Sequence, residues 1–352
     1  MSILVINSGS TSIKYALFDG RDNEIKQGNA ENITSHEKAL KQILREVGSL
    51  QDLKAVGHRV VHGGDKLIKP TIITDEVLSE IEKFNHLAPL HNPYNLAAVK
   101  AIRGYLPKIT QVAVFDTAFY SALPEVARIY ALPLKLSKKH EIKRFGFHGT
   151  SHKYVMREAA KLLNKPATKI NLITCHLGGG WSVTAIESGK PIDTSMGWTP
   201  LEGLVMMARS GDLDPSIVLE LVKEAEGETI EAKCEWVYNF LNHESGLKGL
   251  SGAADYKQLL RRVSQGDANA KLAFDLAIYR LVKYIGAYFA ALGGKVDAIV
   301  FTGAIGSGDP MTRNQVMAKL NFLKKVKFFS IPTNEELMIA REVKDILSLR
   351  GA

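Results

Sequence analysis

An internal repeat constrains this chain more than any other feature of its sequence. Near the N-terminus, small residues separate two apolar runs, and the same order recurs between residues 171 and 189. Gly9 aligns with Gly178 and Gly20 aligns with Gly189, in both cases at an offset of 169 residues. Each copy has the pattern of a strand, a tight turn and a second strand. The repeat therefore predicts two domains of similar fold, each of which begins with a glycine-rich β-hairpin.

Strand and helix patterns alternate outside the repeat. Short apolar runs at 112–115, 297–302 and 328–331 predict strands, and the small residues 303–308 predict a loop. Longer segments predict helices over about 150–164, 215–225, 234–241, 268–292 and 335–349. Such alternation is typical of α/β layers, and 352 residues suffice for two domains.

The composition excludes several classes of protein. The formal net charge is +8, but the basic residues are scattered without interleaved aromatic residues, so no nucleic-acid partner is predicted. The charge leaves two interpretations, a solvated surface and a field that attracts anionic substrates. The two distant cysteines, Cys175 and Cys234, exclude a disulfide scaffold and a cysteine zinc site. Neither a membrane span nor a signal peptide is predicted, so we expect no membrane partner and a cytoplasmic location.

The glycine-rich turns are candidate phosphate sites. Small residues beside a strand end let backbone N–H groups approach an anion closely, although one such turn is more often only a turn. Two turns in duplicated positions, with a third small-residue loop at 303–308, strengthen the functional interpretation. The sequence contains neither GxxxxGK[ST] nor GxGxxG before a helix, and Gly249–Ala253 misses the GxSxG pattern in its last place.

Charged residues within apolar segments suggest the chemistry. Arg59 lies in a short apolar strand, and Arg209 lies in a similar setting, so each faces either a structural carboxylate or an anionic ligand. Asp116 ends a strand, where catalytic groups of α/β folds often lie. His148 and His152 are spaced as a metal pair, but without HExxH we favour separate roles.

Oxygen donors complete the candidate site. Asn7, Asp116 and Glu335 are hard donors of the kind that magnesium takes together with phosphate oxygens. Taken together, these features indicate phosphoryl transfer to a small anion, and they do not name the anion.

Several longer motifs identify the chain as similar to a known family. In order, they cover residues 7–14, 58–64, 87–93, 114–119, 145–152, 195–203, 212–215 and 332–337. Across nearly the whole chain, they resemble the acetate kinases, within the superfamily of sugar kinases, actin and heat-shock chaperones. The resemblance implies two duplicated actin-like (ribonuclease H-like) α/β domains with a cleft between them. We expect an N-terminal domain of residues 1–118 plus about 337–352, and a C-terminal nucleotide-side domain of residues 119–336.

The resemblance also implies a reaction and residue roles. The expected reaction is reversible, direct in-line phosphoryl transfer from ATP to acetate with magnesium or manganese, in a homodimer. Catalysis would fall to Arg59, Asp116, His148 and Arg209, and metal binding to Asn7 and Glu335. The acyl site would comprise Arg59, Val61, Leu90, His91, Phe147 and Pro200. The nucleotide and its phosphates would meet Ser10, Ser12, Lys14, His176, Leu177, Gly178, Gly179, Gly180, Asp255, Tyr256, Lys257, Ala304, Ile305, Gly306, Ser307 and Gly308.

Departures from the family pattern fall mainly on the nucleotide side. Gly179 stands where asparagine is usual, Lys257 where arginine is usual, and the 303–308 loop differs in its first pair and last two residues. The chain is also shortened, mainly between Asp19 and Arg59 and in the C-terminal third. These changes keep open an acyl kinase that uses propionate, butyrate, GTP or pyrophosphate, and a non-catalytic nucleotide sensor.

Overall fold

The computed structural model describes residues 1–89 and 91–350. The strands are β1 (Ser2–Ser8), β2 (Ser12–Asp19), β3 (Glu24–Glu31), β4 (Leu53–Val60), β5 (Thr71–Ile72), β6 (Thr110–Phe115), β7 (Leu172–Leu177), β8 (Trp181–Glu187), β9 (Lys190–Thr194), β10 (Ala298–Thr302) and β11 (Lys327–Ser330). The helices are α1 (His36–Val47), α2 (Asp75–Glu82), α3 (Asn92–Tyr105), α4 (Glu125–Arg128), α5 (Leu134–Lys139), α6 (Gly149–Leu163), α7 (Pro215–Glu224), α8 (Ile230–Asn239), α9 (Gly246–Ser251), α10 (Tyr256–Ser264), α11 (Ala268–Ala291), α12 (Gly303–Gly308), α13 (Pro310–Lys319) and α14 (Glu335–Arg350). Short 3₁₀ turns cover Asp116–Ala122 and Ala167–Lys169, and a π-turn covers Phe240–Glu244.

The contacts within the chain divide it into two units. Unit 1 comprises Met1–Ala122, Phe147–Tyr154 and Thr333–Ala352, and unit 2 comprises Leu123–Gly146 and Val155–Pro332. The sequence-derived boundaries at 118 and 337 stay a prediction. The units differ from them chiefly because Phe147–Tyr154 lies in unit 1.

The two sheets confirm the internal repeat. In unit 1 the strand order is β3-β2-β1-β4-β6-β5, and in unit 2 it is β9-β8-β7-β10-β11. In each sheet the first three strands form an antiparallel meander. The first strand of the meander also pairs in parallel with a later strand, β1 with β4 in unit 1 and β7 with β10 in unit 2. The hairpins β1–β2 and β7–β8 lie at the positions that the 169-residue offset predicts.

Helices cover both faces of the unit 1 sheet. On one face, Leu4, Ile6 and Leu17 pack with apolar residues of α1 and α3. On the other face, Ile3, Val5 and Phe18 pack against α14. Gly57 in β4 allows the close approach of α14, because a Cβ there would overlap the side chains of Ile339 and Val343. The C-terminal helix is therefore part of the core of unit 1.

The residues 303–308 form a short helix, so the predicted loop is wrong. Gly303 has a φ of +79° and lies against the Leu177 carbonyl, where a Cβ would overlap the backbone. Arg313 Nη1 donates to the carbonyls of Gly306 and Ser307 at 3.0 and 2.8 Å. These tertiary contacts offset the low helix propensity of glycine. None of the helices in the described part of the chain is long and apolar enough to cross a membrane.

Candidate active site

The parallel strands of unit 1 bring three predicted residues to one edge. Asn7 lies near the end of β1, Arg59 near the end of β4, and Asp116 directly after β6. The register pairs Ile6 with His58 in β1 and β4, and β4 with β6 in the same direction. Parallel strands end together at one sheet edge. Arg59 therefore contacts Asn7 and Asp116 directly, although they lie 52 and 57 residues away along the chain.

Arg59 and Asp116 form a partly buried ion pair. Arg59 Nη2 lies 2.6 Å from Asp116 Oδ2, and Arg59 Nε donates to the same oxygen at 3.1 Å. The Asp116 side chain is only 1% exposed and that of Arg59 is 19% exposed. Burial alone would lower the pKa of the Arg59 guanidinium, but the carboxylates of Asp116, Glu335 and Glu336 together raise it further than burial lowers it. Arg59 is therefore a permanent cation with an outer side that still reaches solvent.

Asn7 and two glutamates surround the same guanidinium. Arg59 Nη1 donates to Asn7 Oδ1 at 3.3 Å and lies 3.6 Å from Glu335 Oε2. Asn7 Nδ2 donates to Glu336 Oε1 at 3.2 Å. Burial raises the pKa of the Glu335 carboxyl to about 7, and Asp116 and Glu336 add to this against the pull of Arg59. The cluster therefore holds more negative charge than its arginine neutralises.

This donor set fits a magnesium ion. Amide and carboxylate oxygens are the ligands that Mg²⁺ prefers, and the excess negative charge would be relieved by a second cation. Among the described residues, no three His, Cys, Asp or Glu side chains converge as a ready-made metal site. A partial set is what Mg²⁺ needs when it keeps waters and substrate phosphates as its other ligands.

The first residues of α6 contact both the side chain and the backbone of Asp116. Thr150 Oγ1 donates to Asp116 Oδ1 at 2.8 Å. Gly149 lies so close to Asp116 that a Cβ would overlap the carbonyl oxygen of Asp116. His148 precedes them with a φ of +57°, which is uncommon for a residue with a side chain and typical of functional sites. Sequence reasoning singled out His148 but missed Gly149 and Thr150, because their roles depend on contacts about 34 residues away along the chain.

Two buried asparagines of α3 fix the strand ends. Asn95 accepts from the Val61 N–H at 3.1 Å and donates to the Ser8 carbonyl at 2.6 Å. Asn92 exchanges two hydrogen bonds of 3.0 Å with the backbone of His62. The amide side chains replace the ladder partners that the strands lose at their ends, which sets the positions of β1 and β4. Asn92 lies within the motif 87–93, which is one of those that resemble the family. Asn95 lies outside these motifs, and sequence reasoning did not single it out.

The predicted acyl-site residues of unit 1 lie near these strand ends. Val61 is buried directly after β4, and Phe147 is buried with its ring 5.8 Å from that of His62. His91 directly precedes α3. Leu90 lies outside the described residues. Val61 and Phe147 therefore have the apolar character that a small acyl group requires.

The first glycine-rich turn joins β1 to β2. The Gly9 N–H donates to the Ser12 carbonyl at 2.8 Å, and His36 Nε2 lies 2.8 Å from the Gly9 carbonyl. The Ser10 and Lys14 side chains of this hairpin are exposed and that of Ser12 is half-buried. The hairpin is thus a fixed backbone turn with polar side chains around it.

The second turn and α12 lie together in unit 2. In the turn, Trp181 Nε1 donates to the Gly178 carbonyl at 2.9 Å, and the Gly178 N–H donates to the Gly180 carbonyl. A Cβ at Gly179 would meet nothing within 4 Å. The contact of Gly303 with Leu177 brings α12 beside this turn. The structure thus brings together the predicted nucleotide residues His176, Leu177, Gly178, Gly179, Gly180, Ala304, Ile305, Gly306, Ser307 and Gly308.

The third predicted nucleotide segment begins α10. Asp255 caps this helix by accepting from the Gln258 N–H at 2.8 Å. Tyr256 is buried, and its hydroxyl lies 2.7 Å from that of Thr312. Lys257 is exposed. Of these three, only Lys257 has a side chain without a structural partner among the contacts of the described residues.

Arg209 in unit 2 is a cation of a different kind. Arg209 Nη1 has only weak contacts, at 3.5 Å to the Pro200 carbonyl and 3.7 Å to Met206 Sδ. Within the described part of the chain no carboxylate pairs with it, and burial lowers the pKa of its guanidinium. A partly buried cation without an anion is costly unless a ligand supplies one. Among the described residues the charge of Arg209 is thus left without a neutralising carboxylate, which makes the segment that carries Pro200 and Arg209 a candidate anion site.

The comparisons with known proteins agree with this chemistry. The Acetokinase family model matches residues 20–325. The acetate kinase of Thermosipho melanesiensis is 44% identical over 99% of this chain and 98% of its own length. Crystal structures of Porphyromonas gingivalis acetate kinase and a Francisella tularensis propionate kinase have TM-scores of 0.90 and 0.89, at 37% and 38% identity. They cover 98% and 97% of this chain, and 99% and 98% of their own.

A more distant structure shows how widely the fold is shared. A ROK family protein from Streptococcus pneumoniae has a TM-score of 0.52 at 14% identity, covering 99% of this chain and 100% of its own. The duplicated actin-like α/β fold predicted from the sequence is thus confirmed. Because the family model and the relatives span nearly the whole chain, this protein belongs to the acetokinase family.

Proposed function

We propose that this protein transfers the terminal phosphoryl group of ATP to acetate, which gives acetyl phosphate and ADP. One observation supports this most: in the part of the chain that the structure describes, a second arginine, Arg209, is held without a carboxylate partner, and the family is one whose substrate is itself a carboxylate. A structural ion pair would have its acidic partner in the protein. Because no described protein carboxylate neutralises Arg209, its guanidinium is available to a substrate that is itself an anion.

The reaction needs positioning and charge neutralisation from the protein. An acetate oxygen attacks the γ-phosphorus of ATP and forms the new P–O bond. The bond to the β–γ bridging oxygen breaks, and ADP leaves with that electron pair. A carboxylate is already a nucleophile, so no general base is required. Arg209 and His148 would neutralise the charge that spreads over the phosphoryl oxygens, and Arg59 would orient the acceptor carboxylate.

Magnesium would be held by Asn7, Asp116 and Glu335 together with phosphate oxygens. When bound, it supplies charge neutralisation to the nucleotide phosphates. The protein contribution is to keep these donors ready: Thr150 and Arg59 hold Asp116, and Glu336 holds Asn7. Manganese has the same preference for oxygen donors and would serve as a replacement.

The direct test is formation of acyl phosphate. Purified protein with acetate, ATP and magnesium should give hydroxamate after trapping with hydroxylamine, and the signal should vanish without any one component. Arg209→Ala should lower the rate about a hundredfold or more, as loss of a transition-state cation does elsewhere. Absence of acyl phosphate from wild-type protein with ATP and every short-chain acid would refute the proposal. That outcome would favour the non-catalytic sensor, whereas an unchanged rate in Arg209→Ala would remove Arg209 from the catalytic residues.

The acyl chain has a second candidate. The Francisella tularensis relative is named a propionate kinase and is as similar to this chain as the acetate kinase structure is. Ranking acetate, propionate and butyrate by kcat/KM decides between them. A clear preference for propionate or butyrate would replace acetate in the proposal and leave the family chemistry intact.

The phosphoryl donor has a second candidate because of Gly179. Its position faces open space, so an asparagine side chain fits there without strain. If ATP is the donor, Gly179→Asn adds hydrogen-bonding groups beside the phosphates and should lower the KM for ATP severalfold. A panel of ATP, GTP and pyrophosphate, run on wild type and variant, should give the highest kcat/KM with ATP. A clear optimum with pyrophosphate or GTP would overturn the donor assignment.

A homodimer is also proposed. Large apolar side chains of unit 2 are exposed, and burying them against a second copy would be favourable; they include Val126, Leu134, Leu219 and Ile230. Light scattering after size-exclusion chromatography should give twice the mass of one chain. A single-chain mass at micromolar concentration would refute this.

A further inference from the structure

One partly buried arginine outside the predicted site, Arg144, organises the backbone that carries Pro200. Arg144 Nη1 donates to three successive carbonyls, those of Thr194, Ser195 and Met196, at 2.9, 3.4 and 3.2 Å. On its other side, Arg144 Nη2 lies 2.7 Å from Glu202 Oε1. One guanidinium therefore ties together both ends of the segment 194–203, which we call the acyl loop.

Tyr130 also holds Glu202 and the acyl loop. Its hydroxyl donates to Glu202 Oε2, and its oxygen accepts from the Trp198 N–H at 2.8 Å. The Arg144 guanidinium also lies over the Tyr130 ring, at 5.7 Å from its centroid. A Cβ at Gly197 would overlap Glu202 and Tyr130, so the loop is packed directly against the clamp. We use "the clamp" for Tyr130, Arg144 and Glu202.

The clamp acts on a loop that carries Pro200, one of the predicted acyl-site residues. The loop between its two tied ends consists of Trp198, Thr199 and Pro200 with their neighbours. The Pro200 carbonyl is also one of the two weak contacts of the Arg209 guanidinium. The C-terminal end of the loop is also held by a second contact, because the Gly203 N–H donates to Asp212 Oδ1 at 2.8 Å. Any movement at the clamped ends would therefore displace Pro200 and, through its carbonyl, Arg209.

The charge and geometry of the clamp require an arginine. The carbonyls of three successive residues and a carboxylate converge on one side chain that is only 17% exposed. Only a planar guanidinium with several fixed donors serves all of these acceptors, whereas a lysine offers one nitrogen. Burial alone would lower the pKa of the Arg144 guanidinium, but Glu202, Tyr130 and Tyr288 together raise it more, so the cation is permanent.

We propose that Arg144, with Tyr130 and Glu202, is a positioning residue that fixes the acyl loop and thereby sets selectivity for the acyl chain. The inference rests on the proposed function, because Pro200 matters to selectivity only if the acceptor is a short carboxylate. It adds residues that do not touch the reacting atoms. Their effect passes through the backbone of the acyl loop to Pro200 and Arg209.

The test compares Arg144→Lys with Lys139→Ala, which removes an exposed cation from the same region without touching the loop. Arg144→Lys should raise the KM for acetate about tenfold and change the acetate-to-propionate ratio of kcat/KM at least about threefold. The KM for ATP should stay within about twofold. Lys139→Ala should match wild type in all three. Tyr130→Phe removes two hydrogen bonds with less disruption and should shift the same parameters less.

Amide hydrogen exchange supplies a readout that does not require activity. Exchange in residues 194–203 should be faster in Arg144→Lys and Tyr130→Phe than in wild type, while β7 and β8 keep their protection. If both variants leave exchange in the loop or the selectivity ratio unchanged, the inference is wrong, even if they melt at lower temperature. If wild type forms no acyl phosphate, the proposed function fails, and exchange alone then decides whether the clamp holds the loop.

Discussion

Arg59 and Arg209 carry the same charge but differ in what compensates it. Arg59 is paired with Asp116 and Glu335. Among the described residues, Arg209 has a carbonyl, a sulfur and Tyr238 nearby, but no carboxylate. The sequence placed both arginines in apolar settings and left open whether each served an ion pair or a ligand. The answer depends on carboxylates from distant strands and helices, which only the fold brings close.

This difference predicts that loss of the two arginines changes stability by unequal amounts. Arg59→Leu should lower the free energy of unfolding by about 3–5 kcal/mol, because it leaves the buried Asp116 without a cation. Arg209→Leu should change it by less than about 1 kcal/mol, since no protein carboxylate is left unpaired. Both should reduce kcat/KM about a hundredfold or more. Urea denaturation beside the hydroxamate assay separates the effects, and equal destabilisation by the two variants would contradict the assignment.

His58 predicts a pH dependence of stability. It is buried in β4 beside the Gln111 side chain, and burial lowers the pKa of its imidazole to about 4 from an ordinary value near 6.5. Above pH 6.5 the group is neutral in both states, and as the pH falls from 6.5 to 4 only the unfolded chain binds the proton. The free energy of unfolding should therefore fall over this window, by roughly 3 kcal/mol from His58.

Replacing His58 provides the control. His58→Asn keeps a polar group for Gln111 and removes the titration, so its stability should depend less steeply on pH between 6.5 and 4. Urea denaturation at several pH values measures both slopes. Identical slopes for wild type and His58→Asn would show that His58 is not buried as the neutral imidazole.

At the scale of elements, the first residue of α6 has to be glycine. Gly149→Ala places a methyl group against the Asp116 carbonyl, so it should destabilise the protein by about 1–3 kcal/mol and reduce activity strongly. Gly104→Ala is the matched control, because a Cβ there meets nothing within 4 Å and it lies in α3. That variant should be neutral or more stable by up to about 1 kcal/mol. Thermal unfolding with both variants tests this, and equal melting temperatures would contradict it.

Regular elements were predictable where local pattern decides them. The repeat located both hairpins, and the longer segments between strands located α6, α7, α11 and α14 to within a few residues. The segment 303–308 was not predictable, because glycine-rich chain has little helix propensity and its helix depends on Leu177 and Arg313. The asparagines of α3 that fix the strand ends were missed for the same reason, since their partners are 30 or more residues away.

At the scale of the whole molecule, α14 should decide whether unit 1 folds. A chain that ends at Pro332 lacks the helix that covers Ile3, Val5 and Phe18 in the sheet. Amide exchange should then show lost protection in β1, β4 and β6, with protection retained in β7, β8 and β10. A chain that ends at Ser348 keeps the residues of α14 that pack on the sheet and should behave as wild type. Full protection of β1 in the Pro332 truncation would contradict the role of α14.

The chain also differs from its relatives as a whole. The alignment with the Thermosipho melanesiensis protein extends over 404 residues, more than the 352 of this chain, although 99% of the chain takes part. The relatives therefore carry residues within the alignment that this chain lacks. This chain nevertheless forms a sheet of six strands in unit 1 and one of five strands in unit 2, and Arg59 keeps its pairing with Asp116.

The sequence by itself determined the duplicated architecture, the family and the identity of most candidate site residues, because repeats, periodicity and long motifs are local properties of a chain. Only the tertiary structure decided which charges neutralise each other, which glycines lie against backbone and which arginine fixes the acyl loop. Those properties arise between residues tens or hundreds of positions apart, such as Asn7 and Glu336. Burial then determines their energies, because a charge or a methyl group costs little in water and much in a packed interior.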